Sequence, residues 1–193
     1  MLTALCAAVA LFGVAYGVSC IPRRVVHSYE GIEFWVRGDS ETAFLQTVNI
    51  HIDGRMRRRL FDPRYTFTGA FEIDAYPYSL SNEVTISLFA DGYDLEGLVD
   101  YDTIEDGKSV RHSLGVLYTD QQFSSLAINL LDITKLEDGS SAGSHKGRVM
   151  AAPARDIVSG QKVLEERNLF WVDYTGLMHF PYPARPFNKP IKD

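Results

Sequence analysis

Cysteine is scarce in this chain: Cys6 and Cys20 are its only two, and both lie in an apolar stretch at the start. A domain built from the rest has no thiol, which excludes a disulfide scaffold, Cys-ligated zinc, iron–sulfur clusters and thiol catalysis. Charge is absent from Met1 to Ile21. A basic surplus is absent as well. The net charge is −6, with a slight excess of bases up to residue 64 and an excess of acids beyond it. Nucleic-acid binding domains are usually basic along one continuous face, so no nucleic-acid partner is expected. The histidines His27, His51, His112, His145 and His179 show no H-x-H or H-x₃-H spacing suited to a metal on one element. No repeat of fixed period is visible.

What is present has globular proportions. Of 193 residues, 46% are hydrophobic and 23% charged, which argues against disorder. Setting aside the two unusual ends leaves about 150 residues, enough to bury roughly two-thirds of the unfolded surface.

The uncharged opening, Met1–Ile21, would span about 30 Å as a helix, the thickness of a bilayer's hydrocarbon core. A buried helix seldom goes so long without a polar face, so a transmembrane anchor or a secretory signal is expected. Gly17-Val18-Ser19-Cys20 also resembles the end of a lipoprotein signal, with Gly17 where leucine is normal. Anchor, cleaved signal and lipidation at Cys20 stay open, and the uncleaved anchor is the working expectation. Arg23 and Arg24 directly follow the segment and favour a cytoplasmic domain by the positive-inside tendency. Two residues weigh little, and an extracytoplasmic domain is the expected arrangement.

Beyond Pro22 the pattern is that of strands. Val25 to Phe34 reads as two short strands around Glu30-Gly31. Leu45 to Ile52 alternates, Asp53-Gly54 reads as a turn, and Arg55 to Phe61 reads as the returning strand of a hairpin. Keeping one face dry places Met56, Arg58 and Leu60 with Val48, Ile50 and Ile52, through a bulge at Gly54. Arg55, Arg57 and Arg59 then share the wet face with Asn49 and His51. A solvated strand face explains them plainly. A contact stripe for anionic lipid headgroups or envelope polymer is the functional alternative. Tyr65 to Ile73 is the clearest strand. Others are expected at Val84–Phe89, Leu95–Tyr101, Val110–Tyr118, Phe123–Ile133, Val149–Ala152 and Leu169–Tyr174. Leu136 to Arg148 reads as a Gly/Ser-rich loop. Pro153 to Asn168 is the one soluble helix candidate, with Asp156 as N-cap. The expected fold is mainly β, an antiparallel sandwich or barrel-like domain with one short C-terminal helix, preceded by a single N-terminal transmembrane helix. Its expected parts are an anchor or uncleaved signal at 1–21, a β-rich domain at 22–175 and a Pro-rich flexible tail at 176–193.

Catalytic signals are thin. Gly139-Ser140-Ser141-Ala142-Gly143 fits G-x-S-x-G, but a nucleophile elbow needs a strand running tightly into a helix, and a loop precedes this motif. Ser159-Gly160-Gln161-Lys162 fits S-x-x-K without the S-D-N and K-T-G partners. Asp91, Asp94, Glu96, Asp100, Asp102, Glu105 and Asp106 form an acidic run that lacks calcium-loop spacing. No catalytic, cofactor or metal residue is assigned.

The apolar start, Trp35-Val36-Arg37-Gly38, Ile52-Asp53-Gly54-Arg55 with Leu60-Phe61, and Ala151-Ala152-Pro153-Ala154 together resemble small membrane-anchored proteins of Gram-positive bacteria. The resemblance covers residues 1–168 and departs at the aromatic, proline-rich end. It implies an outward-facing β-domain, carries no assigned activity and transfers no functional residue. The expected function is a membrane-anchored, extracytoplasmic, non-enzymatic binding or envelope-associated domain. Its partners would be the membrane through residues 1–21 and an envelope polymer or protein. A cell-envelope hydrolase with a carboxylate or serine centre is the alternative.

Overall fold

A computed structural model describes residues 21–36, 42–58, 64–91, 94–135, 141–144, 147–167 and 169. Eight strands close into an antiparallel barrel: β1 (Arg23–Val36), β2 (Thr42–Arg58), β3 (Tyr65–Ile73), β4 (Glu83–Asp91), β5 (Asp94–Glu105), β6 (Lys108–Thr119), β7 (Leu126–Leu130) and β10 (Arg148–Ala152). Neighbours in sequence are neighbours in space through β7, and β10 then pairs with both β7 and β1 to seal the wall. Between β7 and β10, β8 (Asp132–Lys135) and β9 (Ser141–Ser144) form a separate two-stranded sheet. Helix α1 (Ile157–Glu166) follows β10. The sandwich-or-barrel expectation thus resolves to a closed barrel with one short helix. Closure leaves no long strand edge to aggregate.

Alternation decides which side chains fill the barrel. Val48, Ile50, Ile52 and Met56 from β2 meet Tyr65, Phe67, Phe71 and Ile73 from β3, Val84, Ile86 and Leu88 from β4, and Leu95, Val99 and Tyr101 from β5. Eight strands enclose a space that side chains can fill. Phe67, Phe71 and Phe123 are wholly buried, with Phe67 and Phe123 5.2 Å apart between ring centres. Each such ring contributes roughly 1.5–3 kcal/mol of burial. The middle of the barrel is core.

A second apolar cluster lies outside the wall. Val163 and Leu164 of α1 cover Ile32, Phe34 and Val36 of β1, Val149 and Ala151 of β10 and Ala127 of β7. Asp156 is the N-cap, as expected: its carboxylate accepts from Ser159 N at 2.7 Å, and the Ser159 hydroxyl reciprocates toward the cap. At the other end of α1, Arg167 donates to Asp94 at 2.6 Å, to Asp120 at 3.1 Å and to Ser125 Oγ at 2.6 Å, clamping the helix to the barrel rim.

Two expected turns do not exist. Glu30-Gly31 lies inside β1, which runs unbroken with Gly31 opposite Val48. From Gly31 onward the strand is buried on both faces, by core within and α1 without, so the alternation that marks a strand fades there. Asp53-Gly54 likewise lies inside β2, a single 17-residue strand. Gly54 faces inward opposite Gly69, and a Cβ on it would stand 2.5 Å from the tip of the Phe67 ring. Glycine there makes room for a core aromatic. The assignment of faces survives, because an uninterrupted strand gives Met56 and Arg58 the same side as Ile52 without any bulge.

β3 has the expected bounds, and the strands expected near β4, β5, β6 and β10 are present with longer ends at several of them. The long strand expected at 123–133 is instead β7, preceded by a turn holding Phe123 and followed by β8 in the other sheet. The expected loop at 136–148 includes β9. The anchor at 1–20, Arg59, Leu60, the strand at 170–174 and the tail at 176–193 lie outside the described residues. Among the described residues, no helix is long and apolar enough to cross a membrane.

Candidate functional site

Where the apolar opening joins the fold, the strand ladder assembles arginines. Ile21 is exposed, and β1 starts two residues later. Antiparallel register sets Arg23 opposite Met56 and Arg24 opposite Arg55, so the last turn of sequence in β2 lies beside the first residues of β1. Arg55 and Arg57 point outward and are exposed, next to Thr68 and Thr66 of β3. Arg58, on the inward side, lays its guanidinium 5.7 Å from the centre of the Tyr65 ring. Arg64 approaches the half-exposed Phe89 ring at 6.0 Å.

These cations differ in how far they are neutralised. Arg24 forms a two-bond fork with Asp53, at 3.3 and 3.0 Å. Hydrogen bonding and charge from Asp53 raise the Arg24 pKa, and the Arg24 hydrogen bond holds the Asp53 carboxyl below its ordinary value. Arg23 donates to the neutral Gln121 at 3.3 Å. Arg55 and Arg57 have no ion pair among the described residues. Two of the three arginines expected on the wet face therefore stand where the sequence placed them, with their charge uncompensated; Arg59 falls outside the described residues.

No family model, curated protein or solved structure matches this chain.

Function therefore rests on what the geometry brings together. Further along the outer wall, away from the arginines, lies a groove of about 410 Å³ lined by Ser28, Glu30, Asn49, His51, Glu72 and Asp74, among others. Register places Ser28, His51 and Glu72 in one row across three strands, and Ser28 Oγ lies 3.0 Å from His51 Nδ1. The row has the residue types of a hydrolytic triad without its wiring. Ser28 sits within a regular strand rather than on a strained turn, and Glu72 Oε1 accepts from Ser81 N at 3.0 Å. Asp74 is likewise engaged, accepting from the backbone and side chain of Asn49 at 2.9 and 2.7 Å.

The opposite end of the barrel is closed by a polar network. Glu33 is buried, accepts from Gln46 Nε2 at 2.9 Å and Tyr76 OH at 3.0 Å, and pairs with Arg148 Nε at 3.2 Å. Tyr78 stacks on His112 with ring centres 4.7 Å apart, and His112 Nε2 lies 2.8 Å from Glu105 Oε1. Burial, followed by the Glu33 charge, raises the Tyr76 pKa; burial pushes Tyr78 up to about 12, so both stay protonated and able to donate. Each of these groups has a partner, as a plug requires.

The two catalytic motifs do not assemble. Ser141 lies in strand β9, not at a strand-to-helix elbow. Ser159 caps α1 through Asp156, while Lys162 turns to Glu166 at 4.0 Å. Within the acidic run, Asp94 pairs with Arg167, Asp102 with Arg111 and Glu105 with His112. Among the described residues no three His, Cys, Asp or Glu side chains could hold a metal. Arg58 is grouped with Arg55 and Arg57 by sequence alone, but sequence reading missed that Arg23 and Arg24 join them. Only strand register reveals that, and the false hairpin at Gly54 hid it.

Proposed function

We propose that this protein is a membrane-tethered, non-enzymatic binding domain, held by residues 1–21 with its barrel on the extracytoplasmic side. The observation that carries the reading is the junction. The uncharged 21-residue run precedes β1 in the sequence, and β1 begins at the end of the barrel where Arg55 and Arg57 have no ion pair among the described residues. Uncompensated exposed charge is a binding feature that needs no cleft, whereas hydrolysis needs converging groups around a reacting atom. The packed interior and the plugged far end also favour recognition on the outer surface.

Two measurements test this together. The full-length chain should stay with the membrane pellet after a carbonate wash. In a Cys6→Ser, Cys20→Ser background, K108C should react with a membrane-impermeant maleimide on intact cells. Release by carbonate would refute the tether, and failure to label until lysis would place the barrel inside.

A further inference from the structure

We propose that the β1–β3 side of the tethered end docks on an anionic lipid surface through the exposed Arg23, Arg55 and Arg57, fixing the barrel's orientation on the bilayer. This rests on the tether proposed above and adds the ligand class and the docked face.

Position comes first. With about 3.3 Å of rise per residue, Arg55 and Arg57 lie within about 10 Å of the start of β1 along the wall. A tether leaving at Ile21 holds them within reach of the headgroups. Charges interact with a surface over roughly 8 Å at physiological salt, so only groups at this end are close enough to count.

Charge is next. The far end carries Asp74, Glu83, Asp102, Glu105 and Asp106 against Lys108 and Arg111, while Asp91, Asp94 and Asp120 stand at the tethered end, the last two paired with Arg167. From Asp94 to Glu105, strand β5 spans about 36 Å, or roughly 28 Å along the axis at the usual tilt. An anionic surface therefore favours the β1–β3 side of the tethered end over the far end. Partly exposed apolar groups accompany the cations: Ile21 is 59% exposed, and Phe89, with Arg64 beside it, is 54% exposed. Apolar bodies next to arginine heads suit a bilayer interface better than a hydrated polymer, in which the apolar area would gain nothing.

Each arginine near an anionic surface should change the docked-to-undocked ratio about five-fold, and the Arg55–Arg57 pair about 30-fold. The test uses the full chain, with Cys6 and Cys20 replaced by Ser, reconstituted into phosphatidylcholine vesicles with or without phosphatidylglycerol. A fluorophore is placed at T68C, beside Arg55, or at K108C, at the far end, and headgroup-attached quencher lipid reads proximity. Phosphatidylglycerol should quench the T68C label and leave the K108C label bright. R55S/R57S should lose that quenching about 30-fold, and R55K/R57K should keep it. Molar salt should abolish it. Equal quenching with and without phosphatidylglycerol, or an unaffected R55S/R57S variant, would overturn the docking while leaving the tether intact. Failure of the chain to float with any vesicle would remove the tether and the docking with it. Capture of soluble polyphosphate without a lipid-dependent change in quenching would assign the stripe to a polymer and overturn the lipid assignment.

Discussion

Replacing Gly54 with alanine separates a strand from a turn at this position. Gly54 does not occupy the left-handed backbone region, so alanine brings no conformational penalty. Its reduced unfolded-state freedom would even stabilise by about 0.4–1 kcal/mol. Against that, the new methyl would stand 2.5 Å from Phe67 Cζ and 2.7 Å from the Thr68 carbonyl oxygen, and the carbonyl belongs to the paired strand and cannot retreat. Overpacking of this kind costs about 1–3 kcal/mol, and contact with a fixed backbone oxygen puts this site in the upper half of that range, leaving a net loss of about 1–2 kcal/mol. For a domain of this size that lowers the melting temperature by about 2–8 °C. Phe67→Leu in the same chain should recover about 1 kcal/mol of the G54A penalty, seen as a coupling energy in a double-mutant cycle. Gly54→Asn sharpens the contrast: a turn tolerates asparagine, but the barrel must bury an amide without partners, at about 1–3 kcal/mol more. Thermal melts followed by circular dichroism in one detergent would measure all five proteins: the parent, G54A, F67L, G54A/F67L and G54N. A neutral G54A, or a G54N more stable than G54A, would refute the continuous strand and the packing argument.

Arg167→Met should be the more damaging change. It strands Asp94 and Asp120 beside a guanidinium site whose side chain is only 10% exposed, and loss of one partner of such a pair costs about 3 kcal/mol. Amide exchange should rise first in α1, and adding D94N and D120N should restore part of the loss. Stability should also fall in acid through Asp120. Burial raises its pKa, but hydrogen bonds from Ser124 and Gln122 and the Arg167 charge outweigh this and leave the folded value below the ordinary one. The unfolded chain then binds the proton more readily. This contribution is complete above the unfolded value of about 3.9 and disappears as pH drops through the lower folded value. Melts between pH 2 and 5 should show a shallower slope in Asp120→Asn than in the parent.

The strands were legible wherever one face was wet. Tyr65, Phe67, Gly69, Phe71 and Ile73 alternate with polar neighbours, and β3 has the bounds that pattern implies. Legibility fails where tertiary structure buries both faces, as in β1 beyond Gly31 and throughout Leu126–Leu130. Glycine misled for a related reason. In an isolated sequence Asp53-Gly54 means a turn, whereas here the missing Cβ makes space for Phe67 on the neighbouring strand. No local pattern carries that information. The outward direction of Arg55 and Arg57 could be read because period-two alternation passes through Gly54. Their approach to Arg24 could not, since it depends on how β1 and β2 pair.

The same pairing explains how a modest imbalance along the sequence becomes an asymmetry in space. In an up-and-down barrel successive strands run in opposite directions, so the start of one lies beside the end of the next. Arg23 and Arg24 begin β1, Arg55, Arg57 and Arg58 end β2, and Arg64 immediately precedes β3. The first two clusters are one hairpin apart, the third follows across the short β2–β3 connection, and all three reach the same rim. Asp74 follows β3, Glu83 begins β4, and Asp102 and Glu105 end β5, which delivers them to the opposite rim. Moving the Arg55–Arg58 cluster half a strand earlier would leave net charge and composition untouched and erase the polarity. Function in this reading therefore depends on where each charge falls within its strand. Charge swaps that reverse polarity at constant composition, such as Arg55→Asp and Arg57→Asp with Asp102→Arg and Asp106→Arg, should turn the anionic surface from attractive to repulsive at the tethered end.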